Sequence, residues 1–147
     1  MLHQEFEEAK AAFNRAGDQH MATVATACHL RQVAYNILDA QQRRGAFLTA
    51  ATEFEGCVTK SESRDERYDQ YAAAAGCYAQ AQDHEKAARF FVLALRFTDA
   101  AVHCLSNGLL DGAIAIIKKY STHVDREIVE RIQQEARFKY LKEKRLE

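Results

Sequence analysis

Apolar residues recur along this chain at steps of three and four. Phe6, Ala9, Phe13 and Ala16 trace one stripe, the mark of an amphipathic helix. Gly17 and Asp18 interrupt it. Glycine suits the left-handed turn that closes a helix, and aspartate suits the cap of the next. A second helix is expected over about 19–41, through Met21, Ala25, Cys28, Val33, Ile37 and Leu38, with the next break at 42–45 or a helix continuous through it. Phe47, Ala50, Ala51, Phe54 and Val58 predict a third helix. The polar stretch 59–66 reads as the main loop. Tyr68, Tyr71, Ala75 and Tyr78 mark a fourth helix, and Ala87, Phe90, Phe91, Ala94 and Leu95 a fifth beyond Gln82 and Asp83. Thr98 and Asp99 offer a cap to a short sixth helix that Asn107 and Gly108 end. A seventh carries Leu110, Ala113, Ile114 and Ile117. After Ser121 and Thr122 the last carries Val124, Ile128, Ile132, Ala136 and Tyr140.

Composition agrees with this helical reading. The 147 residues contain no proline and only six glycines, too few turn residues for a domain of tightly connected strands. Alanine, the best helix former, recurs throughout. The length suits one domain over 1–147. Within it, residues 1–58 form an opening segment, 59–66 the polar loop, 67–120 repeat hairpins and 121–147 a C-terminal capping helix.

Internal repetition separates a bundle from a solenoid. Phe13 stands nine residues before Ala22, Tyr78 nine before Ala87, and Cys104 nine before Ala113. Each has an alanine four positions earlier, at Ala9, Ala74 and Ala100. The alanine lets one helix approach the next closely while the larger residue fills the gap beside it. Tetratricopeptide (TPR) units use the same device at a period of about 34 residues. Here Tyr78 to Cys104 is 26 and Phe13 to Phe54 is 41, so the repeats are irregular. The expected fold is all-α: an irregular TPR-like α-solenoid of about eight antiparallel helices.

Five stretches carry a family resemblance: Ala12 to Asp18, His29 to Ala34, Ala46 to Phe54, Phe97 to Ala101 and Arg137 to Leu141. In this order they resemble the helical-repeat region of TPR and ankyrin repeat-containing proteins, some of which are UvrD-like helicases. The resemblance implies a helical-repeat segment. The motor of such proteins requires a GxxxxGK[ST] phosphate loop, and none of the six glycines begins one.

Charge and chemistry narrow the function. Twenty Lys and Arg against 21 Asp and Glu give a net charge of -1, unlike the strongly basic balance of most nucleic-acid binders. Cys28, Cys57, Cys77 and Cys104 form no CxxC pair, so no zinc knuckle and no other cofactor is expected. The neighbours Cys28–His29 and His103–Cys104 point about 100° apart on a helix. They read as a buried cysteine beside an outward histidine. No catalytic residue stands out, and the expectation is a non-enzymatic scaffold. Tyr68 and Tyr71 are candidates for a partner-binding groove. The basic, aromatic stretch with Arg137, Lys139, Lys142, Lys144 and Arg145 is a second candidate surface, for an acidic protein or nucleic acid. The leading expectation is a protein partner, a peptide or helix in a solenoid groove. The alternative is an accessory segment of a helicase-like ATPase. Self-association is a further expectation if Phe6 and Phe13 are exposed. The apolar stretches, such as 90–95, are far too short to span a membrane, and neither membrane binding nor a signal peptide is expected. The expected location is intracellular.

Overall fold

A computed structural model describes residues 2–15 and 17–146. Among them are eight α-helices and no strand: α1 (Leu2–Arg15), α2 (Gln19–Tyr35), α3 (Ala40–Val58), α4 (Arg64–Gln80), α5 (His84–Leu93), α6 (Phe97–Ser106), α7 (Leu110–Tyr120) and α8 (Arg126–Leu146). A 3₁₀ turn, Ser121–His123, precedes α8. Each helix packs on its neighbours in chain order, and α6 additionally reaches α8.

One turn design joins four of the helix pairs. Gly17, Gln82, Leu95 and Gly108 all adopt positive φ, between 60° and 75°. The amide after each donates back to the carbonyl five residues earlier: Asp18 to Phe13, Asp83 to Tyr78, Arg96 to Phe91 and Leu109 to Cys104, at 2.8–3.0 Å. This closes a Schellman motif. The four residues that donate then begin the next helix. Their carbonyls accept its first bonds, from Ala22 to Asp18, Ala87 to Asp83, Ala100 to Arg96 and Ala113 to Leu109. All four alanines are buried. The nine-residue spacing is therefore the length of one helix-to-helix turn. Phe91 to Ala100 is a further instance, outside the pairs that the sequence pattern singles out. Tyr78, Phe91 and Cys104 also stand 13 residues apart, as do the starts of α5, α6 and α7, so α5 and α6 are single-helix steps of a 13-residue period.

Local chemistry moves several expected boundaries. α2 stops at Tyr35, and Asp39 caps α3 by accepting from the Gln42 amide at 2.8 Å. The break expected at 42–45 is therefore absent, and Gly45 lies within α3. Ser63 caps α4, so helix begins inside the stretch 59–66 expected as loop. Thr98 does not cap α6. Its hydroxyl accepts from the Asp125 amide at 3.0 Å, which ties α6 to the start of α8. Val124 precedes α8 and plugs the core from outside it. Ala16 lies outside the described residues.

The apolar faces merge into two cores. The first joins α2 to α5 around Phe47, Phe54, Cys57, Cys77 and Tyr78, with alanines between them. The second joins α5 to α8 around Ala101, Cys104, Ile116, Ile117, Val124 and Ile132. α5 serves both: Ala87 and Phe90 face the first, Ala88 the second, and Phe91 touches each. No helix among the described residues is long and apolar enough to cross a membrane.

Candidate functional site

α5 and α7 both pack on α6, and a groove of about 490 Å³ lies along them. Ala88 and Val92 of α5, Cys104 of α6, and Leu109, Leu110 and Ile116 form its apolar surface. Glu85, Arg89, Asp111 and Lys139 stand among its lining as charged groups. Lys139 reaches across from α8 to Asp111 at 3.6 Å. The 13-residue period explains the space: the third step carries Cys104, a thiol, where the first carries the Tyr78 ring. Gly112 contributes too, since a β-carbon there would stand 3.3 Å from the Cys104 sulfur. This groove escaped sequence reasoning because its lining comes from four separate segments. The signal present was the replacement of an aromatic by cysteine at the third repeat.

The expected tyrosines lie elsewhere. Tyr78 is buried, and its hydroxyl donates to Glu55 at 2.5 Å. Burial, and then the neighbouring Glu55 carboxylate, push the Tyr78 phenol far above its ordinary value. Tyr71 packs on the first core with its ring 5.9 Å from Phe90, and Tyr68 is half-buried on the same helix. Tyr78 and Tyr71 thus pack with the first core, while Tyr68 stands outside it. The cationic candidates are on α8, with Arg137, Lys139, Lys142, Lys144 and Arg145 all exposed. Arg137 donates to the Gln133 carbonyl at 3.4 Å, and the Lys144 ammonium sits 5.7 Å from the Tyr140 ring centre. The two candidate groups therefore lie on different helices, α4 and α8, and only Lys139 of the set joins the groove.

The histidines beside cysteines are not turned outward. His29 stacks on Phe6 with ring centres 4.0 Å apart, which half-covers both rings and seats α1 on α2. His103 faces His84, Nε2 to Nδ1, at 2.9 Å, joining α6 to α5. Burial, with His84 alongside, holds the His103 imidazole below its ordinary value. Cys57, Cys77 and Cys104 are buried, and burial raises all three thiols, Cys77 to about 11. Such thiols are poor nucleophiles.

One further cluster joins α2 to α4. His20 Nε2 lies 2.5 Å from Glu66 and 3.4 Å from the Ser61 hydroxyl. Both neighbours share one ring nitrogen. A proton relay needs the hydroxyl on one nitrogen and the carboxylate on the other. The Ser61 hydroxyl instead donates to the Cys57 carbonyl at 2.9 Å, so the cluster closes the loop before α4. Among the described residues no group of three or more metal-ligating side chains converges. No protein-family model, curated protein or solved structure matches the chain.

Proposed function

We propose that this chain is a TPR-like α-solenoid scaffold, non-enzymatic, that holds a peptide or helix of a protein partner in the α5–α7 groove. The observation that carries the reading is the groove itself: an apolar floor with charges of both signs along it, on two helices fixed from behind by α6. Apolar contacts would supply affinity, while Glu85, Arg89, Asp111 and Lys139 would select sequence and orientation. Repetition of one turn from α4 to α7 supports the solenoid reading. Equal turns apply equal rotations, so successive helices stack rather than close on themselves.

A peptide library displayed on phage tests this. Selected against the intact chain, it should yield sequences that bind the native protein at least tenfold more tightly than Arg89→Glu or Val92→Glu. Gln41→Glu, on the exposed start of α3, should bind as the native chain does. Unfolding curves of each variant separate lost binding from lost fold. Equal binding to all forms sinks the groove reading.

A further inference from the structure

The last turns of α8 form a second surface. Ile132 is fully buried and fixes which side of the helix faces the body. At about 100° per residue, Leu141 lies about 180° round from Ile132 and Phe138 about 240°. Both point away from the body, with Phe138 70% and Leu141 59% exposed. The cations flank this ridge on either side. Lys144 and Arg137 fall at about 120° and 140°, Arg145 at about 220° between the apolar pair, and Lys142 at about 280°. Glu143, the one carboxylate among residues 137–145, falls at about 20°, on the opposite side. Over residues 137–145 the outward arc therefore carries two apolar side chains and four cations, with Glu135, one turn earlier at about 300°, just beyond its edge.

We propose that this arc docks an acidic amphipathic helix of a different protein, with two or three apolar residues at helical spacing and carboxylates on both flanks. Phe138 and Leu141, three residues apart, form a ridge about 60° wide, the width of a helix–helix seam. A helix lying in a membrane surface needs an apolar face of about 100° or more. A single-stranded nucleic acid would seek successive stacking rings, yet the ridge offers one, Phe138, since Leu141 is aliphatic and Tyr140, with Lys144 beside it, lies about 160° round from Phe138. A second copy is disfavoured by charge. Two such arcs would set four cations against four, and the outer residues of α1 that could neutralise them, Glu5, Glu7 and Glu8, carry no apolar counterpart for the ridge. The arc is separate from the α5–α7 groove, so either surface can fail while the other holds.

Three synthetic peptides of about 14 residues test it by fluorescence anisotropy against the full chain. One carries leucines at i, i+3 and i+7 with glutamates between, one has that composition scrambled off a single face, and one replaces every Glu by Lys. The first should bind at least tenfold more tightly than either of the others. Leu141→Ser with Phe138→Ser should weaken it at least tenfold, as should Arg137→Glu with Arg145→Glu. These side chains are exposed, so unfolding curves should be unchanged, and Val92→Glu in the groove should bind the peptide as the native chain does. Equal binding of the ordered and scrambled peptides, or no binding, overturns the proposal. So does tighter binding of a single-stranded oligonucleotide or of phosphatidylserine vesicles that ignores Phe138→Ser and Leu141→Ser.

Discussion

The first core, from α2 to α5, closes with whole rings. Phe47 and Phe54 are fully or almost fully buried, and alanines such as Ala50, Ala51, Ala74 and Ala75 let the helices approach around them. The second core, from α5 to α8, has the same alanine contacts at Ala100, Ala101 and Ala113, yet fills its centre with Cys104 and three isoleucines. It leaves the groove that the first core lacks at the corresponding step. One backbone device reaches into both regions, a left-handed turn followed by a buried alanine, which joins α4 to α5 in the first and α5 to α6 and α6 to α7 in the second. What differs is the volume of the side chain that the turn presents. A row of helices packed in chain order can thus change from sealed to open by one side chain per step, with its helix geometry intact. Under the proposed function, stability and recognition would divide accordingly, the first core holding the chain together and the second bordering the binding surface.

The strongest way to break this contrast is to hollow out the sealed core. Phe54→Ala removes a ring 2% exposed, with the Arg31 guanidinium 5.0 Å from its centre. It should cost about 3–5 kcal/mol, read as a lower urea midpoint. Val92→Ala at the groove should cost no more than about 1 kcal/mol, because water already reaches that side chain. If the two losses are equal, the regions do not differ in packing and the division of labour fails.

A milder pair of changes acts on the turn the regions share. Gly108 has φ +75°, and a β-carbon there meets open space. Gly108→Ala should therefore cost about 1 kcal/mol from backbone strain alone. Leu95 occupies the same place in the preceding turn at φ 60°, with its side chain 52% exposed. Leu95→Gly should relieve strain and stabilise the chain by about 0.5 kcal/mol. Opposite signs at equivalent positions would establish that one turn geometry governs both. Equal signs would mean that side-chain contacts, not φ, decide each turn.

How far this architecture was legible follows from which interactions are local. The turn at Gly17 and Asp18, the break at Gln82 and Asp83, and the stop at Asn107 and Gly108 are written in residues whose backbone preferences act alone, and the helices begin and end there. The break after Tyr35 was misplaced because Asp39 is an ordinary cap without a glycine before it, whereas Arg43, Arg44 and Gly45 look like a stop and are helical. Thr98 resembles a cap locally, but its hydroxyl is taken by Asp125, 27 residues away. Long-range contacts of that kind leave no trace in neighbouring residues. The same holds for the groove. Val92, Cys104, Ile116 and Lys139 meet only after three turns have set the helices, whereas the cations of α8 are consecutive enough to read directly. The histidines were misjudged for the complementary reason. Facing partners on the next helix cover His29 and His103, and position on one helix cannot reveal them.

The smallest expected effect lies at the junction of the two regions, where His84 of α5 meets His103 of α6. One ring nitrogen must donate and the other accept, so at most one of the two rings can be the doubly protonated cation while the contact stands. His103 titrates in the folded chain below its ordinary 6.5, through burial first and the His84 charge second. The unfolded chain therefore binds more protons than the folded one just below pH 6.5, and stability must fall as pH drops from there toward the folded value. Above that window the contact contributes fully. His103→Gln removes the titration and can still bond to His84, so its stability curve, subtracted from that of the native chain, isolates this pair from every other histidine. The difference should be flat above pH 7 and should slope as pH falls below about 6.5, with the native chain losing more. A flat difference throughout would mean that the junction is insensitive to proton charge, and that α5 couples the two cores through its apolar packing, Ala87 and Phe90 on one side, Ala88 on the other and Phe91 on both.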